Sequence, residues 1–219
     1  AEDSRLPSTF DITKYVKSSG NRIAVKVVKY SDGSFLEDQD FWRLAGIFRD
    51  VYIMREPVVR IADVYNKTKL SDGYTSGELQ SQIVLSNTGR KAAKAKVSAK
   101  LISPDGEVVS TAETSADIGQ GKMIKCNWKF PKIANVKLWS AEAPNLYKLL
   151  IKLEDENEDA VYACLNVGFR SIERKGMQIL VNGKPVLFKG VNRHEHDPQL
   201  GQAISAETTK RDLMEMKKY

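Results

Sequence analysis

The sequence predicts a mainly β protein: the end of one β domain, then a β-sandwich, then the opening hairpin, strand and helix of an α/β barrel. Three observations point there. From Pro57 to about Val167 the chain offers six or seven short strands of alternating polarity, separated by turn residues. Two apolar runs then flank Asn182-Gly183, the strongest short-range hairpin signal. Between Ser205 and Tyr219, Leu213 and Met216 recur with helical spacing among polar residues.

Each element has a local reason. Residues 21–30 alternate, with Ile23, Val25 and Val27 on one face, as in a half-buried strand. Residues 10–16 read as another edge of the same β structure, Ser31-Asp32-Gly33-Ser34 as a turn, and residues 48–54 as a further strand. These few strands cannot close a core alone, so residues 1–56 read as the tail of a larger β domain. Pro57 marks a break. The sandwich strands are expected at 58–66, 78–86, 93–102, 107–114, 122–130, 147–154 and 160–167, with turns such as Asn87-Thr88-Gly89 and Pro104-Asp105-Gly106 between them. The long connection 136–147 reads as a loop pinned over the sandwich by Trp139. From Gly168 the texture changes. Residues 177–181 and 186–189 form the hairpin arms, the second arm feeds the charged segment 190–198, and a helix follows, as in the first βα unit of a barrel.

Bulk properties narrow the class. The 219 residues are 42% apolar and 28% charged, and no apolar run is long enough to span a bilayer as a helix. The start, Ala1-Glu2-Asp3-Ser4, carries neither an initiator Met nor the features of a signal peptide, and reads as an internal cut. Cytoplasm and periplasm stay equally open. The net charge of +6 includes Lys91, Lys94, Lys96 and Lys100, but the last three share one parity on a strand. A solvated sheet face produces that pattern, and no nucleic-acid motif accompanies it, so no nucleic-acid partner is expected. Cys126 and Cys164 sit in strand-like runs and read as free buried thiols rather than a disulfide framework.

Two constellations carry chemistry. Arg193, His194, Glu195, His196 and Asp197 crowd one strand end and include both histidines of the chain. On a strand His194 and His196 share a face. They could hold zinc, but a third ligand is not evident and the spacing is not that of helical zinc proteases. Equally, the charges could satisfy one another, with Arg193 pairing Asp197. The other constellation is Glu37, Asp38 and Asp40 followed by Phe41 and Trp42. Carboxylates beside an aromatic face suit sugar hydroxyls, or a hard cation such as Na⁺, Ca²⁺ or Mg²⁺. The alternative is a solvated acidic turn with Trp42 in the core.

Four blocks, "SDGSFLEDQDFWRLAGIFRDV" at 31–51, "KLWSAEAPNLY" at 137–147, "VGFRSIE" at 167–173 and "NGKPVLFKGVNRHEHDP" at 182–198, together resemble the large bacterial β-galactosidases of glycoside hydrolase family 2. The likeness runs from about residue 10 to the end. It implies that 1–56 is the C-terminal part of a jelly-roll sugar-binding domain, 57–167 an immunoglobulin-like sandwich, and 168–219 the start of a catalytic (β/α)₈ barrel. It implies hydrolysis of terminal β-D-galactosides with retention, by a parent protein that works as a homo-oligomer with Mg²⁺ and Na⁺. Asp40 matches an aspartate that contacts the galactosyl 6-hydroxyl and Na⁺. His194 matches a barrel histidine bonded to the sugar near its 3-hydroxyl. No role carries over for His196, Glu37 or Asp38. The two catalytic glutamates of the family match no residue here, so Glu195 is neither, and the chain alone is expected to be inactive. A competing reading is a non-catalytic carbohydrate-binding or adhesive sandwich, which has little use for the charged segment and the helix after it.

Overall fold

The computed structural model describes residues 6–36, 42, 44–156 and 160–219. Their elements, in chain order, are a 3₁₀ turn (Thr13–Tyr15), helix α1 (Asp32–Leu36), eleven strands and helix α2 (Ala206–Lys218). The strands are β1 (Val59–Leu70), β2 (Ser76–Asn87), β3 (Ala93–Ile102), β4 (Val108–Ile118), β5 (Met123–Lys129), β6 (Ile133–Ala134), β7 (Tyr147–Asp155), β8 (Ala160–Val167), β9 (Ile172–Lys175), β10 (Gln178–Val181) and β11 (Lys184–Pro185). The chain is mainly β, and it divides into two compact units.

One unit, Met54–Lys189, holds the sandwich. One antiparallel sheet runs β1-β2-β5, with β6 also on β2, and the other runs β4-β3-β7-β8. Alternation determines what is buried. On β3 the side chains of Ala95, Val97, Ala99 and Leu101 point into the core, while Lys94, Lys96 and Lys100 are solvated. Lys96 pairs across the open face with Glu113 at 2.9 Å, so this lysine row is the solvated sheet face that its parity predicts. Leu79, Ile83 and Leu85 of β2 meet Leu149, Ile151 and Leu153 of β7 in one continuous core. Burial of such side chains, roughly 1.5–3 kcal/mol each, is what drives the sheets together.

The 136–147 loop is pinned by more than Trp139. The Trp139 N–H donates to the Phe169 carbonyl at 2.9 Å, and the Lys137 N–H donates to the Tyr147 hydroxyl at 3.0 Å. Trp139 itself is half-buried, packed on Gly168 and covered by the Arg170 guanidinium at 4.6 Å. The thiols differ from expectation. Both are free, but Cys126 is half-buried on β5 and Cys164 is exposed on β8. The parity of β8 turns Cys164 outward, and an apolar run does not by itself decide which face is inside. Partial burial holds the Cys126 thiol above its ordinary pKa.

The Asn182-Gly183 hairpin forms as expected, with φ of 50° and 74° at its two central residues, the requirement of a type I′ turn. Asn182 also knits the hairpin to its surroundings. Its amide Nδ2 donates to the Trp139 carbonyl at 3.0 Å, and its Oδ1 accepts from the Ser171 N–H at 2.9 Å. Tyr74, itself at φ 56°, lays its ring against Gly183 and donates its hydroxyl to Glu173 at 3.0 Å. A Cβ at position 183 would stand 2.8 Å from the Tyr74 ring. Gly183→Ala is therefore expected to destabilise the hairpin by at least about 1–2 kcal/mol, the backbone penalty alone. Hydrogen exchange of the β10 and β11 amides measures it, and unchanged protection would contradict the packing.

The other unit combines Ala1–Ile53 with Gly190–Tyr219. Here the expected strands at 10–16, 21–30 and 48–54 are not realised: no ladder forms among the described residues of this stretch. Ile23, Val25 and Val27, the predicted core face, are 55%, 57% and 48% exposed. Alternation specifies a face, but a strand also needs a neighbour for its backbone groups, and none of the described residues supplies one. In the Met54–Lys189 unit the expected strand 186–189 is not realised either: β11 ends at Pro185, and the Val186 N–H then donates to the Ile179 carbonyl at 3.0 Å. The predicted turn at Ser31–Ser34 tightens into α1. Helix α2 begins where expected, with the Ser205 hydroxyl capping the Thr208 N–H and Lys217 and Lys218 in its last turn. Its half-buried side is Thr208, Thr209 and Asp212, whereas Leu213 and Met216 remain 53% and 38% exposed.

Candidate functional site

The charged segment 193–197 is an irregular loop leading to α2, not a strand end. Its side chains are disposed of one by one. Arg193 reaches forward to α2, where its guanidinium donates to Asp212 through Nε at 3.2 Å and Nη2 at 2.8 Å. The pairing with Asp197 that the sequence offered as one alternative is not made; Arg193 pairs instead with Asp212 of α2. Asp197 instead closes its own turn. Its carboxylate accepts from the Gln199 N–H at 2.8 Å and the Leu200 N–H at 3.0 Å, while its backbone exchanges two hydrogen bonds with Gly201.

Glu195 bonds to the Arg49 guanidinium, which also donates to the Gln202 carbonyl at 3.0 Å and the Phe48 carbonyl at 2.9 Å. Arg193 stands 3.9 Å from the same Glu195 carboxylate. The His196 ring meets the Trp42 ring edge-on, with centroids 3.8 Å apart, and its Nε2 is buried with no hydrogen-bond partner among the described residues. Leu44 packs against Gly201, close enough that a Cβ there would lie 2.9 Å from Leu44 Cδ1. Trp42, Leu44 and Arg49 thus join loop 193–202 within one unit by a ring contact, an apolar contact and an ion pair.

His194 stands apart. It is exposed, and alone among the five ionisable side chains of 193–197 it has no hydrogen bond, ion pair or ring contact to any described residue. An imidazole held between fixed neighbours, with both nitrogens open, can donate to or accept from a ligand hydroxyl. The other expected site residue, Asp40, lies outside the described residues, as do Glu37, Asp38 and Phe41. Trp42 is described and exposed, not a core residue. Among the described residues no group of three or more His, Cys, Asp or Glu could hold a metal ion. The zinc alternative thus finds no third ligand among them.

Sequence reasoning missed Arg49 and Asp212. Arg49 was visible only as part of the block 31–51, and nothing in the spacing announces a partner at position 195. Asp212 carries a weak signal, since with Thr208 and Thr209 it forms a polar stripe at helical spacing.

The Asp197 turn has a pH signature. The N–H groups of Gln199 and then Leu200 stabilise the ionised carboxylate and lower its pKa, helped by Arg211 and His196. A carboxyl lowered by folding contributes stability above its unfolded pKa of about 3.9, and loses it as pH falls through the lower folded value. The expected NMR titration midpoint of Asp197 thus lies below the ordinary range, with the turn intact at neutral pH. A midpoint at or above the ordinary value would mean that the turn is not formed.

Residues 1–57 match the family model for the sugar binding domain of glycosyl hydrolases family 2, residues 59–170 the model for glycosyl hydrolases family 2 itself, and residues 172–219 the model for the family's TIM barrel domain. The whole chain is 39% identical to a β-galactosidase of Pectobacterium atrosepticum and 37% identical to one of Yersinia enterocolitica. It spans only 21% and 22% of their lengths. Among solved structures, Bacteroides uniformis β-glucuronidase 2 shares the fold over 82% of this chain and 23% of its own, with a TM-score of 0.75 at 22% identity. A β-galactosidase-like protein of Bacteroides fragilis matches 69% of this chain and 22% of its own, at a TM-score of 0.62 and 25% identity. With the family's own model matching half of the residues and its sugar binding and TIM barrel models most of the rest, the chain belongs to glycosyl hydrolases family 2.

Proposed function

We propose that this chain is the scaffold and part of the sugar pocket of a retaining β-galactosidase acting on terminal β-D-galactosides. The observation that carries the reading is the open His194 imidazole in an otherwise locked loop, in a chain 39% identical from end to end to a β-galactosidase. His194 hydrogen-bonds the galactosyl ring near its 3-hydroxyl, and Asp40 reaches the 6-hydroxyl and a Na⁺ ion. Retention needs an acid/base carboxyl and a nucleophilic carboxyl roughly 5 Å apart. Glu195 is engaged by Arg49 and offers no such pair, so both carboxylates come from elsewhere in the barrel. The domains run, in this reading, as the end of a jelly roll to residue 56, the immunoglobulin-like sandwich to 167, and the barrel start from 168. The whole protein works as a homo-oligomer with Mg²⁺ and Na⁺, and takes neither nucleic acid nor membrane as partner.

The test compares the 219-residue chain with the full-length protein on a chromogenic β-galactoside. The chain alone is expected to show no hydrolysis above buffer. The full-length protein is expected to cleave, with the β-anomer of galactose appearing first by NMR. Turnover by the isolated chain, or an α-anomer as first product, would overturn the assignment.

A further inference from the structure

We propose that Arg49 and Glu195 form a clamp that positions His194, an inference that rests on the reading of His194 as a sugar-binding residue. The argument is geometric. His194 lies between Arg193 and Glu195, and both neighbours are tied down. Arg193 anchors the loop to α2 through two bonds to Asp212. On the other side Arg49 holds the Glu195 carboxylate and the Gln202 carbonyl with one guanidinium, so a single planar group fixes the loop at two points seven residues apart. The side chains on both sides of residue 194 are thus tied to other parts of the unit, which restricts the backbone that carries the imidazole. Glu195 is also shared, with Arg193 at 3.9 Å on its second oxygen, which links the two anchors into one chain from Arg49 to Asp212.

A second tie comes from the same segment. Trp42 packs on His196, two residues beyond His194, and the Trp42 carbonyl lies 3.5 Å from Gln202 Nε2. Trp42, Leu44 and Arg49 thus meet the histidine loop at 195, 196, 201 and 202, and none of these contacts is with His194 itself. Arg49 and Glu195 are positioning residues. Their effect is transmitted through the imidazole, and that distinguishes them from groups that touch the sugar.

A double-mutant cycle in the full-length protein tests this, with o-nitrophenyl β-D-galactoside as substrate. Arg49→Ala and Glu195→Ala are each expected to lower kcat/KM roughly tenfold, the scale of a modest misplacement of a binding group. In a His194→Ala background the same replacements are expected to change it by less than about twofold, because residues acting through one another are not additive. Equal losses in both backgrounds, or no loss in the wild-type background, would overturn the clamp. Should Arg49→Ala fail to fold, Arg49→Lys keeps the charge but loses the fork that reaches Glu195 and Gln202 together. It is expected to show a smaller loss with the same coupling to His194. Should the wild-type protein not cleave the galactoside, the proposed function fails and the clamp is judged by NMR on the 219-residue chain. The His194 imidazole is then expected to give one set of signals in the wild type and broadened or multiple sets in Arg49→Ala and Glu195→Ala. Unchanged His194 signals in both variants would sink it.

Discussion

Phe169→Ala is expected to destabilise the sandwich by about 3–5 kcal/mol, the range for deleting a fully buried aromatic side chain. Phe169 follows the last sandwich strand and is completely buried. Its ring meets the Tyr147 ring edge-on with centroids 4.9 Å apart. It also covers Gly77 so closely that a Cβ there would lie 2.6 Å from Phe169 Cδ1. The Phe169 backbone is fixed as well, since its carbonyl accepts from Trp139 and residue 169 bridges Leu138 in parallel fashion. The cavity left by alanine therefore has rigid walls: β2 on one side, β7 on another, and the 136–147 loop held by its own backbone bonds. Rigid walls relax little, which places the loss high in the range. Urea denaturation of the 219-residue chain measures it, and a loss below about 1 kcal/mol would mean that the site collapses freely. Phe169→Leu keeps much of the volume and is expected to lose clearly less.

The legibility of this fold followed from how local its causes are. On β3 the alternation of lysine with Ala95, Val97, Ala99 and Leu101 shows directly which face is buried, and the structure buries that face. Asn182-Gly183 specifies its own turn, because both residues tolerate positive φ. Strand ends were less legible. β1 runs on to Leu70 and β2 starts at Ser76, where Lys67, Thr68 and Lys69 pair with Gln80, Leu79 and Glu78. Ladder hydrogen bonds continue through polar residues, and a reading based on apolar alternation stops too soon. Least legible were the segments whose state depends on a distant partner. Residues 21–30 carry a clear strand pattern, yet no described residue completes a ladder with them.

The site divides along the same line. That Arg193, Glu195 and Asp197 would be paired rather than free follows from the cost of unpaired charge. Which partner each one takes does not follow. Asp197, four residues on, was one partner the sequence offered Arg193, but the Asp197 turn offers that carboxylate two backbone N–H groups first. Arg193 is left for Asp212, and Glu195 for Arg49, 146 positions away. Long-range pairings of this kind leave no local trace. His194 was singled out by its motif alone, and the structure leaves it exposed with no partner among the described residues.

His194→Ala in the full-length protein is expected to lower kcat/KM for a β-galactoside about 100-fold, equivalent to about 2.7 kcal/mol of transition-state stabilisation. The size follows from what the imidazole does in the proposed pocket. A hydrogen bond between uncharged groups contributes about 1 kcal/mol to stability, and one kept from water in a fixed geometry contributes more. The geometry here is fixed by neighbours, since Arg193, Glu195 and His196 are each held by another element. Truncation leaves those contacts in place, because His194 makes none with the described residues. Stability is therefore expected to change by less than about 0.5 kcal/mol, as at a surface position without special contacts. The two measurements together carry the argument. A residue that supports the fold would lose stability and activity in parallel, whereas a ligand-facing residue loses activity alone. His194→Gln retains a donor and an acceptor on a side chain of different reach, and is expected to recover part of the loss. A galactoside with its 3-hydroxyl replaced by hydrogen separates the role further: it should suffer from His194→Ala far less than the parent sugar does. An equal penalty on both sugars would place the action of His194 elsewhere than at the 3-hydroxyl.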